Sequence, residues 1–280
     1  MRLRPFREVD VFSAEPYRGN PVAVVLDGAG LADDEMQRFA RWTQLSETTF
    51  LTPPTDPAAD YALRIFTPGG ELPFAGHPTL GSCHAWLGAG GRPRTAGEIV
   101  QQCGVGLVRV RADGERLAFA APPLRRGEAD TARLAGVRAA LGLDAAQVAA
   151  AQWLDNGPQW LALRLAGAAD VLALEPDQAA LARTGAKVAV IGAHPAGAEC
   201  AFEVRAFAPT MGIAEDPVTG SVNASLAQWL IGAGVAPQRY VAAQGTRLGR
   251  AGRVHVAQDG DGTTWVGGAS VSCIEGQVRL

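Results

Sequence analysis

Lysine is almost missing from this chain. Of 25 basic side chains, one is a lysine, Lys187, and it stands between Ala186 and Val188. A P-loop needs a lysine followed by Ser or Thr after a glycine turn, so that nucleotide motif is excluded. A Schiff-base cofactor such as pyridoxal phosphate would have only Lys187 to use, which argues against that class too. Cysteine is also scarce. Cys83, Cys103, Cys200 and Cys273 are scattered without CxxC spacing, so a structural metal is not expected and all four read as small buried apolar residues. Charge of one sign is lacking as well: 25 basic against 28 acidic side chains leave a formal net charge of −3. No broad positive field exists for a phosphate backbone, and nucleic acid is not an expected partner. Two stretches without charge, Leu72–Gly91 and Pro217–Gln238, reach bilayer length of about 20 residues but are broken by Gly, Pro, Thr and Ser. The first residues, Met1-Arg-Leu-Arg-Pro-Phe-Arg-Glu8, put charges where a signal peptide needs apolar ones. A soluble, cytoplasmic protein with no membrane partner is expected.

What is present is enough apolar material for two cores: 280 residues, 48% of them hydrophobic, with 34 glycines and 18 prolines as punctuation. The two uncharged stretches are related to each other. One follows Arg64-Ile-Phe-Thr-Pro68 and the other Arg205-Ala-Phe-Ala-Pro209, the same Arg-x-Phe-x-Pro pattern 141 residues later. Ala85-Trp-Leu-Gly-Ala-Gly90 is echoed by Gln228-Trp-Leu-Ile-Gly-Ala-Gly234, and Gly19-Asn-Pro-Val-Ala-Val-Val-Leu26 more weakly by Asn156-Gly-Pro-Gln-Trp-Leu-Ala-Leu163. Three echoes in one order predict two similar halves. Each half reads as strands around one long helix. Val9–Phe12, Val22–Leu26, Tyr61–Phe66 and Gly106–Arg111 have strand patterning in the first half. Gln159–Leu165, Lys187–Ile191, Glu203–Phe207 and Arg253–Val256 match them in the second. Thr79–Leu87 and Ser221–Leu230 read as helices ending in glycine, and their lack of charge predicts burial against a sheet. Asp33–Trp42 and Thr131–Leu141 read as exposed amphipathic helices, the first burying Met36, Phe39 and Ala40. Pro122-Pro123 with Arg125-Arg126-Gly127 reads as the linker, and Trp265–Ile274 as a strand completing either half.

The two interior helices begin alike, at Gly76-His77-Pro78-Thr79 and at Asp216-Pro217-Val218-Thr219-Gly220-Ser221. A helix start exposes unpaired N–H groups and about half a positive charge, so it holds an anion without a basic side chain. Halves facing each other about a pseudo-two-fold axis could bring both starts to one cleft, able to hold a carboxylate or stabilise an enolate. His77 and Asp216 stand at those entrances. Glu47, within Leu45-Ser-Glu-Thr-Thr-Phe50, reads from the residues alone as a solvated carboxylate in a short polar break. His84, His194 and His255 sit in unrelated contexts and receive no role. Gly104-Val-Gly106 leads into a strand pattern rather than a helix and is no dinucleotide fingerprint. No Gly-x-Ser-x-Gly elbow is present, and His77 with His84 makes a poor metal pair without a neighbouring carboxylate.

Val9-Asp-Val-Phe12, Gly19-Asn-Pro21, Leu45-Ser-Glu-Thr-Thr-Phe50, Arg64-Ile-Phe-Thr-Pro68, Glu71-Leu-Pro-Phe-Ala-Gly-His-Pro-Thr79 and Glu215-Asp-Pro-Val-Thr-Gly-Ser221 closely resemble the PhzF family of phenazine-biosynthesis-like isomerases. The resemblance runs in order from about residue 8 to the C-terminus. It implies an α+β, diaminopimelate-epimerase-like fold of two similar halves, each a curved, mostly antiparallel sheet around a central helix. Residues 1–122 with the closing strand 266–280 would form one half and 125–265 the other, the active site lying in the cleft between them. The type member isomerises trans-2,3-dihydro-3-hydroxyanthranilate by moving a proton between ring carbons, with no metal and no organic cofactor. By resemblance Glu47, His77 and Asp216 are the catalytic set, and Ser46, Gly76, Gly220 and Ser221 bind the substrate, a small carboxylated metabolite. A homodimer is implied in the same way. Related epimerases use two cysteines, one at each helix entrance. Here those places hold Ala75 and Asp216, so a single glutamate shuttling a proton fits better than two-base racemisation. An epimerase or racemase of an amino-acid derivative, and a non-catalytic metabolite-binding protein of the same fold, are the alternatives.

Overall fold

The computed structural model describes residues 1–280, and the chain divides into two compact units. Unit 1 comprises Met1–Ala120 and Gly267–Leu280, and unit 2 comprises Ala121–Val266. In chain order unit 1 contains β1 (Leu3–Val11), β2 (Asn20–Val25), α1 (Asp33–Thr43), β3 (Thr48–Thr52), β4 (Tyr61–Thr67), β5 (Gly70–Leu72), α2 (Gly76–Gly88), β6 (Glu98–Cys103), β7 (Gly106–Asp113) and β8 (Arg116–Ala120). Unit 2 contains β9 (Arg125–Gly127), α3 (Thr131–Leu141), β10 (Ala150–Asp155), β11 (Gln159–Arg164), α4 (Ala168–Ala173), α5 (Gln178–Arg183), β12 (Val188–Ala193), β13 (Phe202–Ala208), β14 (Ile213–Asp216), α6 (Gly220–Gly232), β15 (Arg239–Gln244) and β16 (Gly252–Gln258). The chain then runs through β17 (Thr264–Gly268) into β18 (Ser270–Arg279), which returns to unit 1.

Both units have the same strand grammar. In unit 1 β18, β1, β2, β3, β4, β6, β7 and β8 lie in that order. All neighbours are antiparallel except β2 with β3 and β4 with β6, and β5 hairpins onto β4. In unit 2 the order is β9, β10, β11, β12, β13, β15, β16. The parallel pairs β11 with β12 and β13 with β15 fall at the corresponding places, and β14 hairpins onto β13. Each long helix follows the short hairpin strand and has 13 residues. The expected α+β architecture of two similar halves is therefore present.

The absence of charge on α2 and α6 is explained by what surrounds them. α2 packs against β1, β2, β3, β4, β8 and β18, and nine of its residues are buried. Its Gly81 lies so close to the sheet that a Cβ there would sit 2.4 Å from Val22 Cγ1 and 2.9 Å from Val11 Cγ2. α6 is buried over ten residues, including Ser221, Asn223 and Ser225. α1 behaves as its amphipathic pattern predicts. Met36 and Ala40 enter a core with Val25, Phe50 and Phe66, and Phe39 packs at its edge.

Several expectations are corrected. The segment read as a polar break after α1 becomes β3 at Thr48, because Thr48 and Thr49 turn inward between β2 and β4. Arg125-Arg126-Gly127, read as linker, is strand β9 and pairs with β10. The tail is two strands, broken at Ala269, whose carbonyl accepts the Phe12 N–H at 2.8 Å. Cys83 and Cys200 are buried, whereas Cys103 and Cys273 are only partly so. β6 escaped notice because one of its two buried residues, Gln101, is polar: it donates to Thr79 Oγ1 at 3.0 Å.

Candidate active site

Glu47 precedes β3, and its loop is tied at both ends. Gln44 closes α1 in a left-handed conformation (φ 58°) and donates from Nε2 to Arg41 O. The hydroxyls of Thr43 and Thr48 meet at 2.8 Å across the loop. Thr49 then anchors the strand to α2 through a 2.9 Å contact with Ser82 Oγ. The carboxylate is thereby turned inward: the Glu47 side chain is 12% exposed, and its Oε2 lies 3.3 Å from His77 Nε2. Half-buried Ser46 stands beside it in the chain. A residue that looks solvated in the sequence is thus packed against a histidine 30 positions away.

His77 is the second residue of α2, and its side chain is 4% exposed. Burial drives its pKa from 6.5 down to about 3, against an opposing pull from the Pro21 backbone carbonyl. The ring is neutral at ordinary pH, so its contact with Glu47 is one between imidazole and carboxyl, not an ion pair. On its other side His77 Nδ1 lies 3.3 Å from Asn20 Nδ2. Asn20 opens β2 after a tight approach: a Cβ on Gly19 would meet Val11 O at 2.1 Å, and Asp10 Oδ2 accepts the N–H groups of Arg18 and Gly19, each at 2.8 Å. No side chain caps α2, and its first turn carries no acid. Gly76 and His77 thus begin a helix whose amide end is suited to a carboxylate.

In unit 2 the start of α6 is held by its own network. Asp216 is buried, and Thr219 Oγ1 donates to its Oδ2 at 2.5 Å. Gln244, at the end of β15, accepts from Thr219 N (3.0 Å) and Asn223 Nδ2 (2.8 Å). Its own Nε2 donates to Asp216 O (3.2 Å) and Thr219 Oγ1 (3.0 Å). Gly220 and Ser221 form the first turn, and Asn156 Nδ2 donates to Ser221 O at 3.0 Å. Asn20 and Asn156, members of the weakest sequence echo, thus serve the same residue position of the two helices. Sequence reasoning gave neither a role, and it missed Gln244, which lies too far along the chain for any local pattern to flag it.

The remaining histidines have partners elsewhere: His84 Nε2 is 3.2 Å from Ser272 Oγ, and His194 Nε2 is 3.1 Å from Glu203 Oε2. Cys83 lies inside α2, where burial pushes its thiol up to about 12. It is no thiolate base at neutral pH. No group of three or more His, Cys, Asp or Glu is arranged to hold a metal ion, and no helix is long and apolar enough to cross a membrane.

A family model described as phenazine biosynthesis-like protein matches residues 9–276. A Schizosaccharomyces pombe protein called antisense-enhancing sequence 1 is 38% identical over 99% of both chains. The trans-2,3-dihydro-3-hydroxyanthranilate isomerase of Pseudomonas aeruginosa is 35% identical over 97% of this chain and 98% of its own. The crystal structure of a Bacillus anthracis phenazine biosynthesis protein of the PhzF family superposes over 100% of both chains with a TM-score of 0.83 at 21% identity, a likeness of fold.

Proposed function

Because the chain belongs to the PhzC-PhzF family of phenazine biosynthesis-like proteins, we propose that it is a cofactor-independent isomerase that moves a proton between carbons of a small carboxylated metabolite. Glu47 is the general base that takes the proton and the general acid that returns it. His77 orients that carboxylate, and the amide end of α2 at Gly76, with Ser46, binds the substrate's negative charge. Asp216 orients the metabolite, and Gly220 and Ser221 bind its polar groups. The observation that carries the reading is the inward-turned Glu47, 3.3 Å from a buried neutral imidazole at an uncapped helix start. An epimerase working through paired thiols is disfavoured. Ala75 stands at the α2 entrance, and the thiol of Cys83 is buried within the helix.

Incubation with trans-2,3-dihydro-3-hydroxyanthranilate and related cyclic acids in deuterium oxide tests the reading. A constitutional isomer carrying deuterium at the new carbon is the expected product. An epimer of the starting acid would refute it. Glu47→Gln keeps the shape and removes the base, so turnover falls by at least about 10²-fold. Full activity in that variant would show that another group moves the proton.

A further inference from the structure

The single proton of the neutral His77 ring can sit on Nδ1 or on Nε2, and the nitrogen without it is an acceptor. The surroundings pull in opposite directions. Pro21 has no N–H, so its backbone offers the ring a carbonyl and draws a ring N–H toward it. Asn20 Nδ2, an N–H donor 3.3 Å from Nδ1, asks that nitrogen to accept. At the far side Nε2 is buried, makes no hydrogen bond of good geometry, and faces Glu47 Oε2 at 3.3 Å. If the proton followed Pro21, two lone pairs would confront each other there whenever Glu47 is ionised. If Nδ1 accepts from Asn20, Nε2 carries the proton and turns an N–H, not a lone pair, to the side where Glu47 lies.

The end of the Asn20 amide that faces the ring is its nitrogen, 3.3 Å from Nδ1, and an amide nitrogen can only donate there. The Asn20 side chain is buried, and the Asp10 clamp and the crowded Gly19 fix the backbone behind it.

We propose that Asn20 is a positioning residue that holds His77 as the Nε2–H tautomer, aiming a ring N–H at Glu47 so that the carboxylate keeps one orientation while it exchanges its proton with the substrate. The inference rests on the reading of Glu47 as the acid–base group.

The chain has four histidines, so the full-length protein labelled with ¹⁵N-histidine gives a tractable long-range ¹H–¹⁵N spectrum, and a His77→Gln sample identifies the His77 signals. At pH 7 the wild-type ring shows the proton on Nε2. Asn20→Asp replaces the donor by an acceptor. It transfers the proton to Nδ1 or leaves the ring doubly protonated, and kcat falls about tenfold or more while KM stays within about threefold. A merely structural Asn20 would leave the tautomer signature unchanged. A wild-type spectrum with the proton on Nδ1, or an Asn20→Asp spectrum still showing Nε2–H, overturns the proposal. Should Asn20→Asp fail to fold by circular dichroism, the wild-type spectrum decides alone. Full turnover in Glu47→Gln would instead strike the acid–base reading, an outcome separate from the ring's tautomer.

Discussion

Arg64 in unit 1 and Arg205 in unit 2 occupy the same place in the repeat. Each forks onto a glutamate, Glu71 or Glu215, with both contacts between 2.7 and 3.0 Å. Each also lies over the phenylalanine two residues on, 5.1 Å from Phe66 and 5.0 Å from Phe207. The surroundings differ. The Arg64 and Glu71 side chains are 28% and 43% exposed, and the third partner of Arg64 is the surface carboxylate of Asp33. Arg205 and Glu215 are 5% and 8% exposed, and the spare N–H groups of Arg205 go to the carbonyls of Val171 and Leu174 beside α4. One motif thus makes a screened surface pair in one unit and a desolvated clamp in the other. The helix starts diverge in the same manner. The entrance of α6 spends its polar groups on one another through Gln244, whereas that of α2 places a neutral histidine against Glu47.

Substitutions at matched positions put that contrast to the test. The widest gap is in activity: on the proposed roles, Glu47→Gln removes the base and lowers turnover by at least about 10²-fold, and Asp216→Asn removes an orienting group and costs closer to about tenfold. Steady-state rates on a turned-over acid decide it, and equal losses would erase the division of labour. Stability comes next. Arg205→Ala strands a buried carboxylate and costs about 3–5 kcal/mol, while Arg64→Ala costs about 1 kcal/mol or less. Urea midpoints measure both, and a large loss for Arg64 would contradict the role of burial. Within the interior helices, Gly81→Ser forces a side chain into Val22 and Val11 and destabilises by about 1–3 kcal/mol. The matching residue of α6 is Ser225, whose hydroxyl is buried without a hydrogen-bond partner. Ser225→Ala is therefore neutral or stabilising by up to about 1 kcal/mol.

The last contrast concerns pH. The His77 pKa is lowered on folding, from 6.5 to about 3. Between those values the unfolded chain binds the extra proton. The contribution of His77 is complete above pH 6.5 and is lost as pH falls toward 3, at up to about 1.4 kcal/mol per unit. Ser221, its counterpart, has no such titration. Denaturation of His77→Asn from pH 7 to pH 4 should show a slope shallower than wild type by that amount, and an unchanged slope would mean the ring is charged in the fold.

Much of the architecture was readable along the chain, and the reason is physical. Uncharged helices such as α2 and α6 must lie inside, and runs such as Val22–Val25 or Phe202–Ala208 carry strand periodicity that any sheet would select. β6 and β15 were less legible because their buried glutamines, Gln101 and Gln244, interrupt the apolar pattern to bond Thr79 and Thr219. Arg125–Gly127 has no strand signal and becomes one only because β10 offers an edge. Of the site, His77 and Asp216 stood out by their places at helix entrances. Glu47 drew attention only through family resemblance, and Asn20 through neither route.

Amino-acid order alone thus determined the duplicated plan, the two interior helices and the residues at their beginnings, since these depend on periodicity and on contacts near in the chain. The partners of Glu47, the choice between surface pair and buried clamp for one repeated arginine, and the ring neutrality of His77 were decided only in three dimensions. Each depends on how far water is excluded by segments tens of residues away, and solvation at that range leaves no local pattern to read.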